Sequence, residues 1–184
     1  NIRDSKNDMN DDGFLDNPLQ KQINIFNRYQ YANAETGWVS FINFQYLNDE
    51  KLMGQVDFDP DTDRGTTNAW GSEIDTERVN ISTKLGYVFP DMPYQSIGFQ
   101  NAFSSYDQKS YFGLNQYDIK QDSFYSNLIF NSIIDNTMNK FATGLNFTYD
   151  KYSEFVNIND YSRIDNTVGA FFEYTYDNSD NFSL

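Results

Sequence analysis

The chain has 184 residues, a formal net charge of −14 at pH 7 and a pI near 4.1, a field that repels phosphate backbones and sets nucleic acid aside as a partner. Apolar residues make up only 39%, yet 17 Phe and 14 Tyr are far too many aromatics for a disordered chain. No His or Cys is present, which removes disulfide frameworks, thiolate zinc sites and the commonest catalytic bases and nucleophiles.

Near the start, "DMNDDGFLD" (8–16) reads as the first half of a calcium loop, D-x-N-x-D-G. Asp8, Asn10 and Asp12 stand at odd spacing, Gly13 permits the bend, Phe14 would offer its carbonyl and Asp16 falls at the ninth position. The twelfth position is Leu19 instead of Glu, so a standard EF-hand is ruled out. The residues form a candidate calcium site, with an acidic turn-rich loop as the alternative.

From residue 22 onward, strand patterns dominate and helical periodicity is missing. A first strand over 22–33 places Ile23, Ile25, Tyr29 and Tyr31 on one face. A second, over 38–48, does so with Trp38, Ile42, Phe44 and Tyr46, and a third, over 78–89, with Val79, Ile81, Leu85, Tyr87 and Phe89. A fourth runs over 95–107, with Ile97, Phe99 and Phe103 together. The fifth, 119–134, gives no clear facing. The sixth, 140–153, alternates Phe141, Thr143, Leu145, Phe147 and Tyr149 with small or polar residues. The seventh, 162–176, carries Val168, Ala170, Phe172, Tyr174 and Tyr176, and an eighth begins near Phe182.

Connections alternate in size. "AETG", "PDMPY", "DNTMN" and "DNSD" are short; 49–75, 108–118 and 154–161 are longer. Tight turns at one end and long loops at the other, with aromatics gathered at the short turns, predict an antiparallel up-and-down transmembrane β-barrel segment. Apolar runs such as "LIF" and "AFF" are far short of the roughly 20 residues of a membrane helix. An ordinary antiparallel sheet with one buried face, as in a lectin-like β domain, is the competing reading, and a smaller passive barrel is another.

The 49–75 stretch holds eight carboxylates and Trp70. Together with Tyr111, Phe112 and Tyr117 of the next connection, Trp70 forms a candidate ligand-binding set of aromatic surfaces. No nucleophile elbow, P-loop or dinucleotide fingerprint occurs, so an enzyme is not expected; a carboxylate pair hidden among the acids is what a barrel hydrolase would need.

"NDDGFLDNPLQKQINIFNRYQY", "GWVSFINFQYL", "KLGYVFPDMPYQSIGFQNAF", "YFGLNQYDIKQDSFYSNLIFNSII" and "KFATGLNFTYDKY" together resemble the mid-barrel of TonB-dependent outer-membrane receptors. The resemblance extends over nearly all of residues 1–184 as a pattern of phrases, without one invariant signature. It implies about seven to eight strands of a 22-stranded barrel in the outer membrane of a Gram-negative bacterium, with an N-terminal plug and the remaining strands outside this stretch. It further implies uptake of a scarce small molecule, such as a siderophore, another metal chelate or a vitamin. Energy would come from the TonB complex acting through the plug, with Arg78, Lys84 and Glu173 as plug contacts.

Overall fold

The computed structural model describes residues 1–178 and the backbone of 182–183. Its elements are β1 (Ile2–Arg3), β2 (Leu19–Asn33), β3 (Trp38–Gly54), α1 (Pro60–Asp63), β4 (Gly71–Phe89), β5 (Met92–Phe112), β6 (Asn115–Ile134), β7 (Asn136–Val156), β8 (Asn159–Asp160), β9 (Arg163–Asn178) and β10 (Phe182–Ser183). The fold is all-β, one antiparallel up-and-down sheet in the order β1-β2-β3-β4-β5-β6-β7-β9-β10, with β8 paired on β7. The sheet is open.

Each of the seven expected strands is present, and most are longer than expected. β3 continues to Gly54, β4 begins at Gly71, and β5 and β6 meet at a two-residue turn, Gly113–Leu114. The expected loop at 108–118 is therefore strand on both sides of that turn, and the 49–75 loop shrinks to 55–70. Part of the last short connection, "DNSD", lies outside the described residues.

The short turns have local causes. Asn33 Oδ1 accepts from the amides of Glu35 and Thr36, bending the chain into the β2–β3 turn. Gly37 closes that turn at φ +74°, where a Cβ would strike the Val88 carbonyl. A single residue, Asp135 at φ 67°, separates β6 from β7.

Register sorts the side chains into two faces. Direct partners Trp38, Tyr87, Ile97, Phe130, Thr143 and Phe172 form one row across six strands. Two residues away, Leu85, Phe99, Leu128, Leu145 and Ala170 form the next row. The opposite face holds Arg28, Asn43, Ser82 and Ala102 in one row and Gln45, Asn80, Ser104 and Ser123 in another. β6 had no legible facing because both its sides are apolar: Phe124, Leu128 and Phe130 join the oily face, Tyr125 and Ile129 the polar one.

The sheet has almost no core of its own. Among the described residues the buried apolar side chains are Phe58 and Tyr111, while Val168 is 78% and Phe172 67% exposed. The accessible surface is 12,171 Å². A compact monomer of 21.5 kDa would expose about 9,200 Å². Roughly 3,000 Å² more is uncovered than a globular chain of this mass leaves.

Candidate functional site

Three features carry chemistry: an apolar belt, a polar carpet behind it, and a cluster at the loop end. The belt is bounded. On the oily face, the first charged residue met towards the loop end is Lys21 in β2, then Glu50, Glu77, Asp107, Asp122 and Lys151 in successive strands. Lys21 pairs with Glu50, Glu77 with Asp107 and Asp122 with Lys151, but each pair lies two residues below the one before.

That boundary falls four residues over five strand-to-strand steps between β2 and β7. The short-turn end steps the same way: β4 runs two residues past Tyr87, and β6 four past Phe130. With ~3.3 Å per residue along a strand and ~4.8 Å between strands, the slope corresponds to strands inclined about 30° to the belt. Along β7 the belt reaches from Phe141 to Tyr149. Eight residue steps at that inclination give a height of about 23 Å.

Aromatics line the belt's short-turn edge, as the sequence predicts. Trp38 and Tyr87 lie 5.0 Å apart between ring centroids, and Tyr87 and Phe89 are also 5.0 Å apart, edge to face. Tyr174 donates its hydroxyl to Asn139 at the same edge.

The opposite face is held by side-chain hydrogen bonds that run across the strands. Gln45 donates to Asn24 at 3.2 Å and accepts from Asn80 at 3.0 Å, while Asn43 donates to Ser82 at 3.0 Å. Gln121 donates to Ser123, Asp150 and the Tyr152 hydroxyl. Tyr117 donates to Glu154 at 3.0 Å, and Arg163 bonds the same carboxylate at 2.7 Å while stacking over Tyr152. The bond from Arg163, then the one from Tyr117, holds the Glu154 carboxyl below its ordinary value. Burial, followed by Glu154, pushes the Tyr117 phenol up.

At the loop end, the four expected ligand-binding aromatics separate. Tyr111 and Phe112 are neighbours in a strand and point to opposite faces. Tyr111 is 5% exposed beneath Phe58 and under the Arg64 guanidinium, which sits 4.5 Å above its ring. Its hydroxyl has no hydrogen-bond partner, and burial followed by the charge of Glu73 pushes the phenol up to about 12. Tyr117 is occupied with Glu154. Trp70 and Phe112 do come together, with Thr66, Thr67, Ala69, Gly113, Leu114 and Asn115, around an open groove of about 370 Å³.

Trp70 is fixed there by its backbone: its amide donates to Gln55 Oε1 at 2.6 Å and its carbonyl accepts from the Gln55 amide at 2.9 Å. Phe14 packs on it at 6.2 Å. Gly113, at φ +60°, lets the indole lie against the β5–β6 turn; a Cβ there would meet Nε1 at 2.8 Å.

The 8–16 stretch is a loop closed on its own amides. Asp8 accepts from the amides of Asp12 and Gly13, Asn10 donates to Asp12, Asp12 accepts from the Phe14 amide, and Asp16 accepts from Met9. Phe14 is also tied to Gln55 by a β-bridge. Among the described residues no three acidic side chains converge as a metal site.

No protein-family model matches this chain, and neither a curated protein nor a solved structure does.

Proposed function

We propose that this sheet is a wall segment of a transmembrane β-barrel in the outer membrane of a Gram-negative bacterium. In this reading the barrel belongs to an energy-coupled receptor that imports a small molecule. The observation that carries the wall reading is the slanted belt. A sheet packed on a soluble core has no reason to end its apolar face along a straight line oblique to its own register. A barrel strand crossing a planar bilayer does, because it is tilted by roughly 35–45° and presents an apolar band about 25 Å tall. The slope of about 30° falls a little short of that tilt, and the height of about 23 Å is near that of the band.

The two faces then have separate partners: lipid on the belt, water or an inserted plug on the polar carpet. In hydrocarbon every backbone donor and acceptor must be paired, so the outer edges of β2 and β9, which β1 and β10 cover only at Gln20–Lys21 and Asp177–Asn178, require further strands. Both edge strands run from the loop end to the short-turn end. Closing seven such strands on themselves would create a parallel pair, so antiparallel closure takes an odd number of additional through-strands.

The transport half of the proposal rests on the resemblance of the strand and turn phrases to TonB-dependent receptors. Ligand capture falls to the loop end, and energy reaches the barrel from the TonB complex through a plug. Import moves a ligand without breaking covalent bonds, so no catalytic group is assigned.

Trypsin digestion of the protein reconstituted in lipid vesicles tests the wall. Cleavage after Arg64 in the loop is expected, with Arg28 and Lys84 at belt level protected. Equal cleavage at all three would contradict it. Ligand uptake that persists after the proton-motive force is collapsed would contradict the energy-coupled half.

A further inference from the structure

The loop end is strongly acidic. Residues 1–21, 49–78, 107–122 and 150–165, which build it, hold 21 of the chain's 27 acidic residues and 10 of its 13 basic ones. Yet the groove between Trp70 and the β5–β6 turn is lined by no charged side chain at all: Thr66, Thr67, Ala69, Trp70, Phe112, Gly113, Leu114 and Asn115. An uncharged, partly aromatic patch inside a field of net charge −11 is a selective environment. The field repels anions, including anionic metal chelates. The lining offers a cation no carboxylate.

We infer that this groove binds a neutral, polyhydroxylated ligand, a short stretch of oligosaccharide. The inference rests on the proposal that the loop end captures ligand, and it names the ligand class. The C–H face of a pyranose ring is apolar and lies flat on an indole or phenyl plane, which Trp70 (46% exposed) and Phe112 (39% exposed) present. Sugar hydroxyls need partners that donate and accept: the Thr67 hydroxyl does both, and the Asn115 amide nitrogen donates while its oxygen is held by Asn157 at 3.2 Å. The volume of about 370 Å³ is at the low end of small-ligand sites, which run from roughly 300 Å³, and the groove is open to solvent. Gly113 holds the site's shape, because a side chain there would push the indole away.

The chain's two tryptophans make the test direct. In detergent solution, the full chain carrying Trp38→Phe has Trp70 as its sole tryptophan. It is titrated with maltohexaose, cellohexaose, xylohexaose and laminarihexaose, with trigalacturonate as the anionic probe and spermidine as the cationic one. At least one neutral hexasaccharide is expected to shift the emission saturably, with neither charged probe doing so. Phe112→Ala and Thr67→Val are each expected to weaken that binding tenfold or more; Thr67 lies in the loop outside the strands, so its variant keeps the sheet. Silence from all four sugars, tighter binding of trigalacturonate or spermidine, or unchanged affinity in Thr67→Val would overturn the inference. Because the assay needs no bilayer, its failure is distinct from failure of the wall, which the vesicle digestion reports.

Discussion

Leu145 of β7 and Leu128 of β6 are direct cross-strand partners at the middle of the apolar belt, and both side chains are more than a third exposed. Such a pair gains little from a protein interior it does not have. If lipid covers it, Leu145→Arg places a charge near the bilayer midplane and destabilises the folded protein by about 2–4 kcal/mol. Gln100→Arg, at nearly the same level on the polar face, costs far less. Urea unfolding in phospholipid vesicles measures the difference; equal costs would contradict the facing.

The Trp38–Tyr87 contact marks the short-turn edge of the belt. Trp38→Ala removes an aromatic pair worth about 0.5–1.5 kcal/mol beyond its buried area. The expected result is a lower unfolding midpoint in vesicles with an unchanged urea dependence. Tyr87→Ala should cost a similar amount, and the double variant less than the sum of the two.

Above the belt, Tyr111 gives a pH signature. Its phenol ordinarily ionises at 10.0 and is raised to about 12, so the folded state favours the neutral form. The stabilisation is complete below pH 10 and is lost as pH rises from there through about 12. Ultraviolet titration of the wild type minus Tyr111→Phe is expected to show one phenol ionising near 12, together with release of the loop that carries Phe58 and Arg64. Ionisation alongside the ordinary tyrosines would show that the loop does not cover it.

On the polar face, Glu154 behaves with the opposite sign. Arg163, then Tyr117, holds its carboxyl below the ordinary 4.5, so the support it gives is present above that value and fades as pH falls below it. Amide protection across 154–163, taken relative to the intrinsic exchange rate at each pH, should fall in acid in the wild type. In Glu154→Gln it should already be low at neutral pH and fall no further in acid. Identical profiles would remove the link between Glu154 and local order.

Much of this architecture was legible in the residues, for a physical reason. Where one face is oily and the other wet, alternation of period two is strong, so Val79 to Phe89 and Phe141 to Tyr149 announce both strand and facing. Beyond the belt both faces are polar and the signal vanishes. Glu73, Asp75 and Glu77 alternate with Ile74, Thr76 and Arg78 in what is still paired strand, and Asp107 and Lys109 do the same in β5. That is why 108–118 reads as a loop. Once the strand is known to continue, adjacency alone separates Tyr111 from Phe112, since neighbours in a strand point to opposite sides. The meeting of Trp70 with Gly113 had no sequence signal, because it depends on how loop 55–70 returns to β4.

The central claim is that the belt lies in lipid, and depth-dependent quenching by brominated phospholipids tests it most directly. With Trp70→Phe, Trp38 is the remaining tryptophan and should be quenched strongly by bromines placed just below the headgroups. With Trp38→Phe, Trp70 should be indifferent to bromine at every depth. Equal quenching of the two, or none at Trp38, would contradict a bilayer around this sheet.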